Sequence, residues 1–145
     1  MKKVLPFLLL MFVLATSITS CKKDKEVLPE TSVEKWFFER GVYEEYDASG
    51  ALLDTKTDSA WTVNDYFALA IDGRFELVQN GRILVGTYLI EKSIMTLTYQ
   101  QSNGSSVQTV SSTATIVEKN TSKFTFYVEE TEATTRFKTT IYLKK

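Results

Sequence analysis

Residues 66–81 read YFALAIDGRFELVQNG, and this stretch decides the fold class of the chain. An apolar segment leads into Asp72-Gly73, and an alternating segment, Arg74–Gln79, leads into Asn80-Gly81. Asp-Gly and Asn-Gly between such segments are the strongest short hairpin signals, because a type I′ turn requires positive φ at both central residues. Two of these turns in succession predict a β-meander.

The pattern continues on both sides of this stretch. Short alternating or β-branched segments separated by turns predict strands, in chain order, at Trp36–Tyr46, Ala51–Lys56, Tyr66–Ile71, Arg74–Gln79, Arg82–Ile90, Ile94–Gln101, Val107–Val117, Lys123–Thr131 and Thr135–Lys144. The segment Thr57–Asp65, which carries Trp61, is predicted as either a loop or a short helix. Eight or nine strands joined in sequence by short turns predict an all-β fold, a lipocalin-like antiparallel up-and-down barrel, because eight strands suffice to close a barrel.

Alternation along these strands selects the side chains that face the barrel interior. The predicted inward set consists of Trp36, Phe67, Leu69, Ile71, Phe75, Leu77, Phe124, Phe126, Phe137 and Ile141. Trp36 is expected to plug the closed end of the barrel, and its alternative role is to form a floor beneath a ligand. These large side chains are compatible with a filled interior and with an open one, since an eight-stranded barrel can adopt either state.

A transmembrane barrel is the rival interpretation of the same pattern. It requires an apolar outer band and aromatic girdles at both membrane interfaces. In this chain, charged residues occupy the strand faces opposite the apolar ones, namely Arg74, Glu76, Lys123, Glu129, Arg136 and Lys138. A soluble barrel with its apolar residues inside is therefore the preferred interpretation.

The N-terminus has the order of a secretory signal peptide. Lys2 and Lys3 precede an apolar run, Val4–Ala15, and a small and polar stretch then leads to Cys21. A run of about 12 apolar residues is too short for a stable membrane span, which needs roughly 20. We therefore predict a signal peptide over residues 1–20.

Cys21 is the only cysteine of the chain, and cleavage would make it the first residue. The segment Ile18–Cys21 resembles the lipobox of bacterial lipoproteins, in which the cysteine receives a diacylglycerol. The alternative is an ordinary signal peptide with an accidental cysteine, but an unpaired thiol in an exported protein then lacks an explanation. We expect a lipid anchor on Cys21 in the bacterial outer membrane, on its periplasmic face or at the cell surface. A flexible tether over residues 21–32 and a barrel domain over residues 33–145 would follow.

Composition excludes several classes of function. The chain holds 17 basic and 18 acidic residues and no histidine, and loss of the signal would leave about 125 residues with a net charge of about −3. This charge balance provides no basic footprint for nucleic acid. Without histidine, and with its cysteine acylated, the chain lacks a histidine-activated nucleophile and a histidine-ligated zinc site. We therefore predict no enzymatic activity, no metal site and no cofactor.

The chain resembles the lipocalin-like domain of small bacterial lipoproteins, in particular those of Bacteroidetes. The resemblance rests on Lys35-Trp36, on Tyr66–Leu77, on Gly86-Thr87-Tyr88 and on Ile94–Thr98, followed by tyrosine-rich final strands. It covers about residues 33–145, nearly all of the chain after the signal. It implies a small β-barrel that can hold an apolar ligand, and it supplies no catalytic residues.

Two functions from different classes follow as hypotheses. The leading one is an envelope protein, held at the membrane by the lipid on Cys21, whose barrel binds a small apolar or amphipathic ligand. The alternative is a protein-interaction or structural module of an envelope assembly, with an envelope protein as its partner, a filled barrel and no ligand. Nucleic acid is an expected partner of neither.

Overall fold

The computed structural model describes residues 33–103 and 106–145. The predicted signal peptide, the predicted lipidation site Cys21 and the predicted tether lie outside the described residues. Within the described ranges the secondary structure consists of nine strands: β1 (Val33–Tyr46), β2 (Leu52–Asp58), β3 (Tyr66–Ala70), β4 (Arg74–Gln79), β5 (Arg82–Glu91), β6 (Ile94–Asn103), β7 (Ser106–Lys119), β8 (Lys123–Glu132) and β9 (Thr135–Lys144). In these ranges we find no helix of the length and apolarity needed to cross a membrane.

The strands form a closed antiparallel barrel. Neighbours follow the order β1-β3-β4-β5-β6-β7-β8-β9, and β9 returns to pair with β1, while β2 pairs with β1 as an additional strand. The prediction of an all-β, up-and-down antiparallel barrel is confirmed, and the architecture is consistent with a lipocalin-like barrel. Closure satisfies the backbone hydrogen bonds of what would otherwise be sheet edges.

β1 accommodates the additional strand because it is long enough to change partners along one edge. Its segment Val33–Phe37 pairs with β3, and its segment Gly41–Tyr46 pairs with β2. The opposite edge of β1 pairs with β9 from Phe37 to Tyr46, with a bulge between Phe38 and Arg40. The segment Gly41–Tyr46 of β1 therefore extends beyond the end of β3, and β2 pairs with it along that edge.

The two glycine turns that indicate the meander differ in geometry. At Asn80-Gly81 both residues have positive φ, 50° and 74°, as a type I′ turn requires. At Asp72-Gly73 only the glycine is positive, at 86°, and its N–H donates to Ala70 O over 3.0 Å. This second connection is therefore a three-residue loop, Ile71–Gly73, of the kind that combines a type I turn with a glycine bulge. The type I′ prediction is wrong at this position.

The core lies inside the barrel toward one end. We call the end with Val33 and the loop Ile71–Gly73 the floor, and the end with the turn Asn80-Gly81 the mouth. The buried cluster combines aromatic and aliphatic side chains from every barrel strand except β5: Trp36, Phe67, Leu69, Phe75, Met95, Leu97, Tyr99, Ala114, Phe124, Ile141 and Leu143.

Gly86 in β5 allows two strands and a core ring to approach closely. A Cβ at this position would lie 2.1 Å from Thr98 O and 2.7 Å from Cε1 of Phe75. Real Cβ atoms do not tolerate these distances, so the Phe75 ring fills the space that a side chain on β5 would need. Two residues on, the Tyr88 hydroxyl donates to Ala70 O over 2.8 Å and ties β5 to the floor end of β3.

Candidate functional site

The structure places most of the predicted inward residues in or against the core. Six of them are buried in the cluster: Trp36, Phe67, Leu69, Phe75, Phe124 and Ile141. Leu77 and Phe126 are partly buried and pack against it. The remaining two, Ile71 and Phe137, lie elsewhere.

Ile71 does not face the interior, and that expectation is wrong. Its side chain is 86% exposed, because β3 ends at Ala70 and Ile71 is the first residue of the three-residue loop. Alternation stops where the strand stops, so the apolar pattern overran the strand by one residue. Phe137 lies on the same face of β9 as the inward residue Ile141, but it is only half-buried and is not part of the core cluster. Its partners on the neighbouring strands are Glu45 and Glu130.

The floor of the barrel is filled. Trp36 is fully buried and meets the ring of Phe124 edge-on, with centroids 5.7 Å apart. Lys119 and Glu34 form an ion pair of 2.6 Å, and the Lys119 ammonium lies 5.9 Å from the Trp36 ring centroid. The Lys145 ammonium lies 4.6 Å from the same centroid. Trp36 is therefore a fully packed part of the core at this end, which agrees with the preferred interpretation that it plugs the barrel.

Several inward apolar side chains in the mouth half of the barrel are only partly buried. Five of these inner-face side chains pack against the core. We call them the mouth cup: Phe38, Leu77, Leu84, Val110 and Val128. Leu77 and Leu84 face each other across the hairpin that ends in the Asn80-Gly81 turn. Strand register assigns Val110 to the inner face, because it pairs with buried Tyr99.

The segment between β2 and β3, residues 59–65, forms a loop at the mouth. Trp61 stacks on Phe38 of the cup, with ring centroids 4.6 Å apart and planes 22° apart. The loop is fastened by Asp65, whose carboxylate accepts hydrogen bonds from Thr62 N and Oγ1 and from Asn80 N at 2.6–2.8 Å. Of the two sequence alternatives for this segment, the structure has the loop.

Asp65 is ionised in this arrangement. The residue is 1% exposed, and burial alone would raise the pKa of its carboxyl. Hydrogen bonds from the backbone of Thr62 and Asn80 and from the Thr62 hydroxyl outweigh burial and hold the pKa below its ordinary value of 3.8. The sequence analysis did not select Asp65, because a single aspartate in a loop carries no pattern.

Three buried donors lack hydrogen-bond partners among the described residues. They are the indole Nε1 atoms of Trp36, in the floor, and of Trp61, and the hydroxyl of Tyr43. Tyr43 and Gly41 lie on the same, inner face of β1. A Cβ added at Gly41 would be 3.2 Å from the Tyr43 hydroxyl. Burial, and secondarily the nearby Asp58 carboxylate, raise the pKa of Tyr43 to about 12.

The rim of the mouth is acidic. Strand register places five carboxylates on the inner face of the sheet, the face that also carries Tyr43 and Val128. They are Glu45 on β1, Asp54 and Asp58 on β2, and Glu130 and Glu132 on β8. Two cations share this face, Lys56 on β2 and Arg82 on β5. Desolvation, followed by repulsion from Glu132, raises the pKa of Glu130. The rim thus presents an excess of negative charge to a ligand that enters the cup.

The outer surface carries a separate, shallow groove of about 390 Å³. Its lining comes from outward-facing positions of β1, β7, β8 and β9: Val42, Glu44, Val117, Glu118, Thr125, Tyr127, Lys138, Thr140 and Tyr142. Within it the Lys138 ammonium lies 3.8 Å from the Glu44 carboxylate and 4.8 Å from the Tyr127 ring centroid. The groove is therefore separated from the mouth cup by the barrel wall.

A second outer surface is free of charge. The outward positions 83–89 of β5, 94–100 of β6 and 107–115 of β7 hold aliphatic, hydroxyl and amide side chains. Five exposed aliphatic residues, which we call the apolar wall, stand out: Ile83, Val85, Leu89, Ile94 and Val107, each 43–66% exposed.

Comparison with known proteins yields no relative. The chain matches no family model, no curated protein and no solved structure.

Proposed function

We propose that this protein is a lipid-anchored component of the bacterial envelope whose barrel binds a small apolar or amphipathic ligand in the mouth cup. One observation carries the proposal. Inner-face apolar side chains in the mouth half of the barrel stay partly exposed above a filled aromatic floor.

Partial exposure of these residues favours a container over a solid plug. Trp36 and Phe75 are fully buried, whereas Leu77, Leu84 and Val128 of the cup are only partly buried. Ligand sites are concave and mostly apolar, with a few polar groups that orient the ligand. The mouth cup supplies the apolar part of such a site, with Leu77, Leu84 and Val110 as wall.

The position of Val33 supports an anchor that leaves the cup accessible. Val33 pairs with Ala70 at the floor end, so a tether that precedes it leaves the barrel opposite the mouth. Two or three acyl chains on Cys21, at about 0.8 kcal/mol for each buried methylene, would hold the protein firmly. The floor would then face the membrane and the mouth would face away from it.

Native mass spectrometry of the protein purified from its own host tests the ligand. We expect an additional non-covalent mass that organic extraction removes. Leu84→Trp, which fills the cup, should lose this mass, and the matched control Ile83→Trp, on the outer face of the same strand, should keep it. If the wild-type protein purified from its host carries no additional non-covalent mass, and neither variant differs from it, the proposal is contradicted.

The anchor has its own test. Wild-type protein should fractionate with membranes and show the mass of attached acyl chains, and Cys21→Ser should lose both properties. A wild-type mass without acyl chains, together with unchanged fractionation of the variant, would show that the lipoprotein assignment is wrong.

The apolar wall favours a second candidate, a protein-interaction role in an envelope assembly. Exposed aliphatic patches mark interaction surfaces when they are contiguous, and Val85 and Leu89 share one face of β5. Crosslinking in intact cells should then capture a partner protein. The Val85→Lys variant should no longer cross-link to this partner, and the Leu84→Trp variant should still do so. Cross-links that do not change with Val85→Lys would argue against this role.

A further inference from the structure

We infer that the shallow groove on the outer surface of the barrel is a second binding site, which holds a neutral oligosaccharide over the hydroxyl groups of Thr125 and Thr140. We call it the outer groove. Its lining comes from outward-facing positions of the strands, so the inference does not depend on the ligand proposed for the mouth cup.

Two threonines that line the outer groove provide the first step. Thr125 on β8 and Thr140 on β9 lie on the outer face of the barrel, and yet they are only 7% and 8% exposed. Neither hydroxyl hydrogen-bonds to another described residue, and neither is sealed from solvent in the way that the Tyr43 hydroxyl is. Because buried polar groups nearly always have partners, two open hydroxyls in one groove indicate a ligand that pairs with them.

Strand register brings these two hydroxyls within reach of one ligand. Thr125 pairs with Tyr142, and Thr140 pairs with Tyr127, so the two threonines are diagonal neighbours on adjacent strands. Diagonal neighbours on one face of a sheet lie about 7–8 Å apart. A ligand made of linked sugar rings can therefore contact both hydroxyls at once.

A bulge in β7 builds one side of the groove. The pairing of β7 with β8 shifts between Ile116 and Glu118, which leaves Val117 as an additional residue. Consecutive residues of a regular strand point to opposite faces, but Val117 and Glu118 both line the groove. Bulges redirect side chains in this way and are frequent next to active sites. The bulge thus adds an apolar group and a carboxylate to the same side of the groove.

The lining combines hydrogen-bonding groups with apolar contacts, which is the combination that a carbohydrate needs. The threonine and tyrosine hydroxyls both donate and accept, the Lys138 ammonium donates, and the Glu44 carboxylate accepts. A sugar hydroxyl also donates and accepts, so it can pair with any of these groups. Val42 and Val117 offer methyl groups to the C–H surface of a sugar ring.

Both tyrosine rings of the lining are held by a cation. The Lys138 ammonium lies 4.8 Å from the Tyr127 ring centroid, and the Arg40 guanidinium lies 4.0 Å from the Tyr142 ring centroid. Side chains that are fixed before binding lose less conformational entropy when a ligand arrives. The walls of the groove are therefore organised in advance.

The charges of the groove restrict the ligand to a neutral one. Lys138 lies 3.8 Å from the Glu44 carboxylate, and Glu118 adds a second carboxylate, which accepts a hydrogen bond from Asn120 Nδ2 over 2.6 Å. An anionic group on the ligand would meet two carboxylates, and a cationic group would meet the Lys138 ammonium. A sugar without ionised groups avoids both repulsions.

The dimensions of the groove suit a short oligosaccharide. Its volume of about 390 Å³ falls in the range of small-molecule sites. The lining comes from the four neighbouring strands β7, β8, β9 and β1, which span about 14 Å at the usual strand spacing. A shallow groove of this length accommodates a few linked rings.

A panel of immobilised trisaccharides tests the class of ligand. It includes maltotriose, cellotriose and acetylated chitotriose as neutral sugars, trigalacturonate as an anion and deacetylated chitotriose as a cation. The protein is the full chain, purified from its host in a detergent without a sugar head group. We expect neutral sugars to bind and the charged ones to bind more weakly by tenfold or more. Calorimetry with the tightest neutral sugar then compares the variants.

Thr125→Val and Thr140→Val each remove one hydroxyl and keep the shape of the side chain. Each should weaken binding of the neutral sugar by about three- to tenfold. The matched control is Thr139→Val, at an inward residue of β9 that is also 8% exposed, and it should leave the affinity unchanged. Urea unfolding adds a readout that a structural role would not give. Both groove variants should be at least as stable as wild type, because they remove buried hydroxyls that have no partner in the described protein.

Several results would overturn the inference. If no neutral sugar binds folded protein, or if a charged sugar binds as tightly, the assigned ligand class is wrong. If Thr125→Val and Thr140→Val bind the sugar as wild type does, or unfold at lower urea, the hydroxyls do not serve a ligand. Leu84→Trp, which fills the mouth cup, should keep full sugar binding, and its loss would place the sugar in the cup instead. The mass-spectrometric test of the cup ligand stands independently of all these results.

Discussion

Trp61 lies against Phe38 with ring centroids 4.6 Å apart, so the loop of residues 59–65 contacts the inside of the barrel at its mouth. The loop contributes no strand pairing of its own, and its position depends on side-chain contacts. One of these is made by the Asp65 carboxylate, which joins Thr62 at one side to Asn80 in the β4–β5 turn at the other. The buried charge of Asp65 therefore contributes to holding the loop at the mouth.

Asp65→Asn should destabilise the protein by about 1–3 kcal/mol, the cost of leaving buried donors without a charged acceptor. An amide offers one acceptor oxygen and turns an NH₂ group toward the Thr62 or Asn80 N–H. Urea unfolding measures the loss, and a red shift of Trp61 emission should accompany it. Asp72→Asn, at an exposed turn carboxylate bound to Arg74, is the matched control and should cost less. Equal losses in the two variants would contradict the role assigned to Asp65.

The same carboxylate predicts a pH dependence of stability. Its folded-state pKa lies below the ordinary value of 3.8, so the unfolded chain takes up this proton more readily than the native protein. The contribution of Asp65 is then complete above the unfolded-state pKa and is lost as the pH falls through the folded-state pKa. The stability difference between wild type and Asp65→Asn should be constant from pH 7 to pH 5 and shrink below about pH 4. A difference that grows on acidification would contradict this linkage.

Gly86→Ala should cost about 3 kcal/mol or more, because the new Cβ would lie 2.1 Å from Thr98 O and must push β5 and β6 apart. Gly41→Ala is the control within the same barrel. There the nearest atom is the Tyr43 hydroxyl at 3.2 Å, the end of a side chain that can move, so the loss should be smaller. Chemical denaturation of both variants checks the order.

Truncation to alanine should destabilise the protein strongly at Leu69 and hardly at all at Ile71, although both residues lie in one apolar run. Leu69 is 2% exposed in the core, and Leu69→Ala should cost about 2–5 kcal/mol. Ile71 is 86% exposed in the loop, and Ile71→Ala should stay within about 0.5 kcal/mol of wild type. Unfolding midpoints of the two variants distinguish them, and a large loss for Ile71→Ala would mean that this loop packs more closely than its exposure indicates.

The strands could be predicted because their signals are local. Period-two alternation and the Asn80-Gly81 turn depend on neighbouring residues alone, and the predicted strand Thr135–Lys144 agrees with β9 at both ends. The error at Ile71 has a local origin too. Asp-Gly serves both a two-residue type I′ turn and a three-residue turn with a glycine bulge, and the apolar run does not distinguish them.

The candidate site could not be predicted in the same way. Phe38 and Trp61 lie in different segments, and only the folding of the loop 59–65 brings their rings into contact, with centroids 4.6 Å apart. Whether Leu77 and Val128 are covered depends on how far Phe67, Phe75 and Trp36 fill the barrel. That filling is a matter of volumes in three dimensions.

By itself the sequence determined the all-β class, the order of the strands and the alternation that separates inside from outside, because each follows from residue-by-residue backbone preferences. It also supplies the case for an anchor at Cys21, which stays a prediction. Only the tertiary structure decided that β1 exchanges β3 for β2 along one edge, and that Trp36 and Phe75 are buried while Leu77 and Val128 are only partly covered. These properties depend on contacts between residues far apart in the chain, where strand register and side-chain volume are settled together.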